Sequence, residues 1–222
     1  MNTQTHIEIG SLKLEPRPLI ICDVDEVVLQ FVAAFERHIV RHGFRLDARS
    51  FALFGNIRRN ADDSEADDAE VGDLLRSFFA AETGRMDLVP GALNALRALG
   101  ELAQIVLLTN IHATYFQARL DNLRAHGLTY PVLANEGPKG PAVASLSAPV
   151  AAPVFFLDDS PSNIRSVASE APHAHIIHFM ADDRYLRLAE PMQGVRLRTG
   201  QWDEVQGFIE ATIAAEFEPP RP

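Results

Sequence analysis

Three apolar runs in this chain each stop abruptly at polar residues, and that pattern restricts the fold more than any other feature. "LIICDVDEVV" (19–28), "QIVLLTN" (104–110) and "PVFFLDDS" (153–160) are short, rich in Val, Ile, Leu and Phe, and close on carboxylates or on Thr-Asn. Short unbroken apolar runs are strands buried on both faces, which occur in parallel sheets held between helices. Helical spacing lies between them. "VVLQFVAAFERHIVRH" (27–42) reads as a helix stopped by Gly43, and "DLVPGALNALRALGEL" (87–102) as one that starts near Pro90 and buries Leu93, Leu96 and Leu99. "YFQARLDNLRAHG" (115–127), "SNIRSVASEAP" (162–172) and "WDEVQGFIEATIAAEF" (202–217) read as further helices, and "YPVLAN" (130–135), "HAHIIHFM" (173–180) and "GVRLR" (194–198) as further strands. The alternation implies an α/β fold, a Rossmann-like three-layer core around a mostly parallel sheet. Residues 31–86 interrupt it with helical patterns only. They are expected to form a small all-helical insertion, with Phe44, Phe51 and Phe54 as anchors, into a core made of 1–30 and 87–222.

The strand ends carry the chemistry. In open parallel sheets ligands bind beyond the carboxyl ends of the strands. Adjacent strands would bring Asp23 and Asp25, Thr109 and Asn110, and Asp158 and Asp159 to one crevice. Carboxylates crowded there repel one another and are costly to bury unless a cation joins them. An all-oxygen ligand set suits Mg²⁺, which keeps waters and bridges to phosphate. Asp-x-Asp also divides labour. Residues two apart on a strand share a face, so Asp23 could attack an electrophile while Asp25 manages the leaving-group proton.

These segments resemble the motifs of the haloacid dehalogenase-like superfamily of phosphohydrolases. "LIICDVDEVV" is similar to its first motif, "IVLLTN" to its second, "GPKGPAV" (137–143) to its third through Lys139, and "VFFLDDSPSNI" (154–164) to its acidic fourth; they occur in the family's order. The resemblance implies a Mg²⁺-dependent phosphohydrolase acting on a small phosphorylated metabolite through an aspartyl-phosphate. Asp23 would be nucleophile and metal ligand. Asp25 would be general acid/base, its backbone carbonyl on the metal. Thr109 and the backbone at Asn110 would hold the phosphoryl group, and Lys139 would neutralise charge. Asp158 and Asp159 would complete the metal site, directly or through water, with Asn163 bracing the loop. The insertion would be a small helical cap. Many members carry Gly-Thr where this chain has Glu26-Val27. A phosphomutase shares all four motifs, and a non-catalytic binding or regulatory protein on the same fold is the alternative of another class.

Charge and composition narrow the partners. A net charge of −10 argues against nucleic-acid and anionic-membrane surfaces, and the single cysteine fits a reducing, cytoplasmic setting. No apolar run approaches the roughly 18 residues of a membrane span, and the first ten residues lack a secretory pattern. The "EPPRP" tail is expected to fray, and oligomeric state is left open. His173, His175 and His178 do not share a strand face and are not expected to bind metal. Cys22 should point into the core. Arg58, Arg59 and His112 are weighed as substrate contacts against solvated helix positions, and the latter is favoured.

Overall fold

The structure, a computed structural model, describes residues 12–218. The expectations for the first ten residues and for the end of the tail concern chain outside that range. The elements run β1 (Leu19–Cys22), α1 (Phe31–Arg41), β2 (Phe44–Leu46), β3 (Ile57–Arg59), α2 (Asp68–Glu82), α3 (Ala92–Leu102), β4 (Gln104–Thr109), α4 (Ala113–Ala125), β5 (Val132–Ala134), α5 (Gly140–Ser147), β6 (Val154–Asp158), α6 (Pro161–Glu170), β7 (His175–Phe179), α7 (Asp183–Leu188), β8 (Val195–Thr199) and α8 (Trp202–Glu216).

Six strands form one parallel sheet in the order β5-β4-β1-β6-β7-β8. Successive side chains leave a strand on opposite faces, and the core divides accordingly. Ile20, Cys22, Leu107, Phe155 and Leu157 join the cluster under α3, α4 and α8, while Leu19, Ile21, Val106, Leu108 and Phe156 join the one under α5 and α6. Burial on both faces is why the strand sequences are continuously apolar. The chain winds outward from β1 to β4 and β5, then crosses back to β6 on the other side of β1. That reversal opens a crevice at the carboxyl ends of β4, β1 and β6. Cys22 pairs in register with both Leu107 and Leu157, so Asp23 and Asp158 emerge level and Thr109 one residue further on. Among the described residues no helix is long and apolar enough to cross a membrane.

The insertion is not all helical, as the sequence had implied. Phe44–Leu46 and Ile57–Arg59 pair as a two-stranded antiparallel ribbon between α1 and α2. Its strands are three residues each, too short for period-2 alternation to stand out. The helix expected over 27–42 starts later, at Phe31, because Val27, Val28 and Leu29 are buried in a turn that bridges Asp25 to Leu29 and Leu29 to Leu88. At the other end Gly43, at φ 84°, ends α1 as read. The acidic run before α2 has a definite use: Asp67 and Glu70 form a reciprocal capping box at the helix start.

Candidate active site

At the mouth of the crevice Lys139 is almost wholly buried between two carboxylates. Its Nζ lies 2.5 Å from Asp23 Oδ1 and 2.7 Å from Asp158 Oδ2. The Gly/Pro-rich sequence around it makes this possible. Gly140 opens α5 flush against α6, where its N–H donates to Ser166 Oγ at 3.0 Å, and any Cβ there would collide with the Ser166 carbonyl and Glu170. Pro141 supplies helical φ at the first turn. Burial opposes the charge on Lys139, yet Asp158 and Asp23 together hold its ammonium above the ordinary lysine range.

Asp158 is fully buried and its oxygens are already engaged. Oδ1 accepts from the Ser160 N–H and Oδ2 from Lys139, and Asn163 Nδ2 lies 3.1 and 3.2 Å from the two. Asp159 is half-buried, and its side chain takes no such partners from the loop. Burial first, then Asp158, Asp23 and Glu26, push the Asp159 carboxyl well above its usual range. Burial likewise pushes Asp23 up, with Lys139 opposing and Asp158 adding to it. One carboxylate oxygen from each of Asp23, Asp158 and Asp159 lies within 4.8 Å of the others. Three carboxylates at that spacing with a single lysine have the donor chemistry of a hard divalent cation.

The other sequence candidates fall as follows. Thr109 is fully buried and its Oγ1 has no hydrogen-bond partner. An unmatched buried hydroxyl is costly, and this one is free to bond an ordered water or a ligand in the crevice. Asn110 spends its side chain on the loop: Nδ2 donates to the Gly137 carbonyl at 2.8 Å, and Oδ1 accepts from Asn135 at 2.8 Å. Both bonds fix the approach to Lys139. Asp25 lies outside the cluster of three, its Oδ1 accepting from Arg119 Nη2 at 2.6 Å. His112 caps α4 by accepting from the Thr114 N–H, while Arg58 and Arg59 pair with Asp47 and Glu70 inside the insertion. Cys22 is buried, its Sγ donating to the Asp23 carbonyl, and burial pushes its thiol up. His178 is buried with Nε2 on the Asp159 carbonyl at 2.9 Å, and His175 turns to Glu216.

Two residues have roles that the sequence reading missed. Arg119 is fully buried on α4, with Asp25 as its carboxylate partner, Nη1 near Met86 sulfur and Nε unpartnered. Its signal was a charged residue on the buried stripe, three after Phe116 and four before Leu123. Glu26 takes φ 62°, a backbone conformation that favours glycine, and is almost fully buried. Its two oxygens accept from the N–H of Val32 at 2.7 Å and of Asp182 at 2.8 Å, which ties the turn after β1 to the starts of α1 and α7. Burial raises its carboxyl to about 8, against the pull of those two donors.

A twisted parallel sheet with this strand order, and with acidic loops meeting a lysine at its carboxyl edge, is a haloacid dehalogenase-like fold. Solved structures of that class overlie most of the chain. A haloacid dehalogenase-like protein of unknown function from Agrobacterium tumefaciens matches 87% of this chain and 98% of its own, at TM-score 0.61 and 14% identity. A HAD family hydrolase from Deinococcus radiodurans, solved with bound phosphate and sodium, matches 89% and 97%, at TM-score 0.58 and 17% identity. A HAD-type hydrolase from Bacillus subtilis, solved bound to magnesium, matches 88% and 99%, at TM-score 0.56 and 13% identity. No protein-family model matches the sequence, and no curated protein matches it.

Proposed function

We propose that the chain is a Mg²⁺-dependent phosphohydrolase that cleaves a small phosphorylated metabolite through an aspartyl-phosphate on Asp23. The observation that carries this reading is Asp23 itself: a buried carboxylate on Lys139, within ligand distance of Asp159, in a crevice that also holds the unpartnered Thr109 hydroxyl. The phosphate and the magnesium reported for the Deinococcus and Bacillus proteins agree with it.

Asp23 attacks phosphorus and the bond from phosphorus to the leaving oxygen breaks. Asp25 gives that oxygen its proton. Water then attacks the phosphorus of the aspartyl-phosphate, losing a proton to Asp25, and inorganic phosphate leaves as the Asp23 carboxylate is restored. Thr109 Oγ1 and the Lys139 ammonium donate to phosphoryl oxygens as their charge grows. Arg119 holds one Asp25 oxygen and so aims the other at the leaving group. Mg²⁺, when bound, offsets phosphoryl charge and orients the group for in-line attack. Asp23 and Asp159 would hold it through their side chains, with the Asp25 backbone carbonyl. Asp158, its oxygens already engaged, would act by fixing Lys139 and the loop. The insertion serves as a cap that keeps water from the crevice.

The test is phosphate release from a panel of phosphomonoesters, with Mg²⁺ and with EDTA, for wild type and Asp23→Asn. Turnover that needs the metal and vanishes in the variant supports the reading. Turnover indifferent to both changes overturns it.

A further inference from the structure

On the face of the sheet that carries α6, that helix reaches β7, and β8 is the edge strand beyond it. The loop between α7 and β8 descends there: Gly194, at φ 86°, comes so close that a Cβ would sit 3.4 Å from Ala168. Between loop, sheet and insertion lies a cavity of about 1060 Å³. Its floor is apolar, from the half-buried Ala168 and the buried Ala174 and Ile176. Its charged lining residues are Arg49, Arg165, Arg196 and Glu190. In a chain of net charge −10, this concave surface is therefore locally cationic.

All three arginines are exposed at the rim of the cavity, and two of them are left without a carboxylate. Most arginines here are committed to carboxylates, among them Arg37, Arg45, Arg59 and Arg184. Arg49 pairs with Asp47, but Arg165 and Arg196 have no hydrogen bond or ion pair among the described residues. Arg196 is also re-aimed by the backbone. Ile176 pairs with Val195 and the next residue, Ile177, with Leu197, so Arg196 is an extra residue bulging from β8. Across it Val195 packs toward α6 and Leu197 toward α8, although an uninterrupted strand would give them one face. Bulges of this kind are a common means of re-aiming a side chain toward a site.

The geometry points to a second ligand site in this cavity, separate from the catalytic crevice, for a small amphiphilic organic anion. Such a molecule sets an aromatic or acyl body on Ala168 and Ile176 and a carboxylate, sulfonate or phosphate among the three arginines. The volume suits a metabolite-sized molecule, and concavity over an apolar floor favours it over an extended polyanion. None of Asp23, Asp25, Thr109, Lys139 and Asp159 lines the cavity. A wall separates the two places: the Phe51 ring lies 5.7 Å from the His178 ring, and His178 is bonded to the Asp159 carbonyl. An occupant would join Arg49 of the insertion to Arg165 and Arg196 of the core and so brace one part against the other. The site does not depend on the chain being a phosphatase.

The probe is 8-anilinonaphthalene-1-sulfonate, an aromatic anion, titrated by fluorescence into the folded full-length chain at fixed ionic strength. Expected is one saturable site, weakened roughly tenfold or more by Arg165→Glu and by Arg196→Glu, as loss of a charge-assisted contact implies. Ser169→Trp, which puts an indole into the cavity from an exposed position, weakens it too. Asp23→Asn, which addresses the crevice, leaves it unchanged. Absence of a saturable site, a weakening under about threefold in either glutamate variant, or a comparable weakening by Asp23→Asn overturns the proposal. Because the readout is binding, failure of the phosphohydrolase reading would leave this result intact.

Discussion

The Asp25–Arg119 pair gives the sharpest energetic prediction. The guanidinium is fully buried and the carboxylate side chain 22% exposed, at 2.6 Å. Removing one partner of a buried pair costs about 3–5 kcal/mol when the other charge is left stranded. The two halves of this pair are not equivalent. Asp25→Asn strands a guanidinium with no route to water, so about 3 kcal/mol is expected. Arg119→Met leaves a carboxylate that can still reach solvent and puts an apolar side chain beside Met86, so about 1–2 kcal/mol is expected. The double variant removes both charges and should lose less than the sum, with a coupling of roughly 1–3 kcal/mol. Urea unfolding reads this through the chain's single tryptophan, Trp202, which is buried with its Nε1–H on the Val27 carbonyl at 2.9 Å. Costs that add to within about 0.5 kcal/mol, or a larger cost for Arg119→Met than for Asp25→Asn, would refute the reasoning.

Other consequences can be checked with the same preparation. Lys139→Met leaves Asp23 and Asp158 buried and facing each other, and should cost about 3–5 kcal/mol in urea unfolding, part of it recovered by adding Asp158→Asn. Glu26→Gln removes an acceptor from one of two backbone N–H groups, so a loss of about 1–2 kcal/mol is expected, and an unchanged midpoint would count against the strut. His38 is buried against Ser77 and Phe78, and burial, with His42 and Arg41, lowers its pKa from 6.5. The unfolded chain then binds the proton first as pH falls, so the contribution of this group is complete above about pH 7 and declines below the unfolded value of about 6.5. Midpoints compared at pH 8 and pH 5.5 should fall less in His38→Gln than in wild type.

The core was legible because its signal is local. Residues such as Ile20, Ile21, Val106 and Phe156 must be apolar to be buried on both faces, and the residue at which each run ends marks the sheet's edge. The positions of Asp23, Thr109 and Asp158 follow from those edges once the strands are parallel, whereas Lys139, at the start of α5, was read only from the family resemblance. What escaped depends on contacts between distant segments. Arg119 and Asp25 are 94 residues apart, and only the folded chain tells why an arginine belongs on a buried helix face. Glu26 reaches Asp182 across 156 residues. The ribbon of β2 and β3 was missed because each strand spans three residues and lies in mixed sequence. α5 was missed because its Gly-Pro opening reads as a loop. The difference between Asp158 and Asp159 lies in the hydrogen bonds that Asp158 accepts from Ser160, Asn163 and Lys139, which two identical side chains cannot announce.

The central claim is that Asp23 takes the phosphoryl group. It is tested most directly by acid-quenching wild type and Asp23→Asn during turnover of a ³²P-labelled phosphomonoester, then treating the protein with hydroxylamine and mapping the labelled peptide. The account predicts hydroxylamine-labile label on the peptide containing Asp23 in wild type and none in the variant. Sustained turnover with no protein-bound label, or label retained in Asp23→Asn, would contradict it.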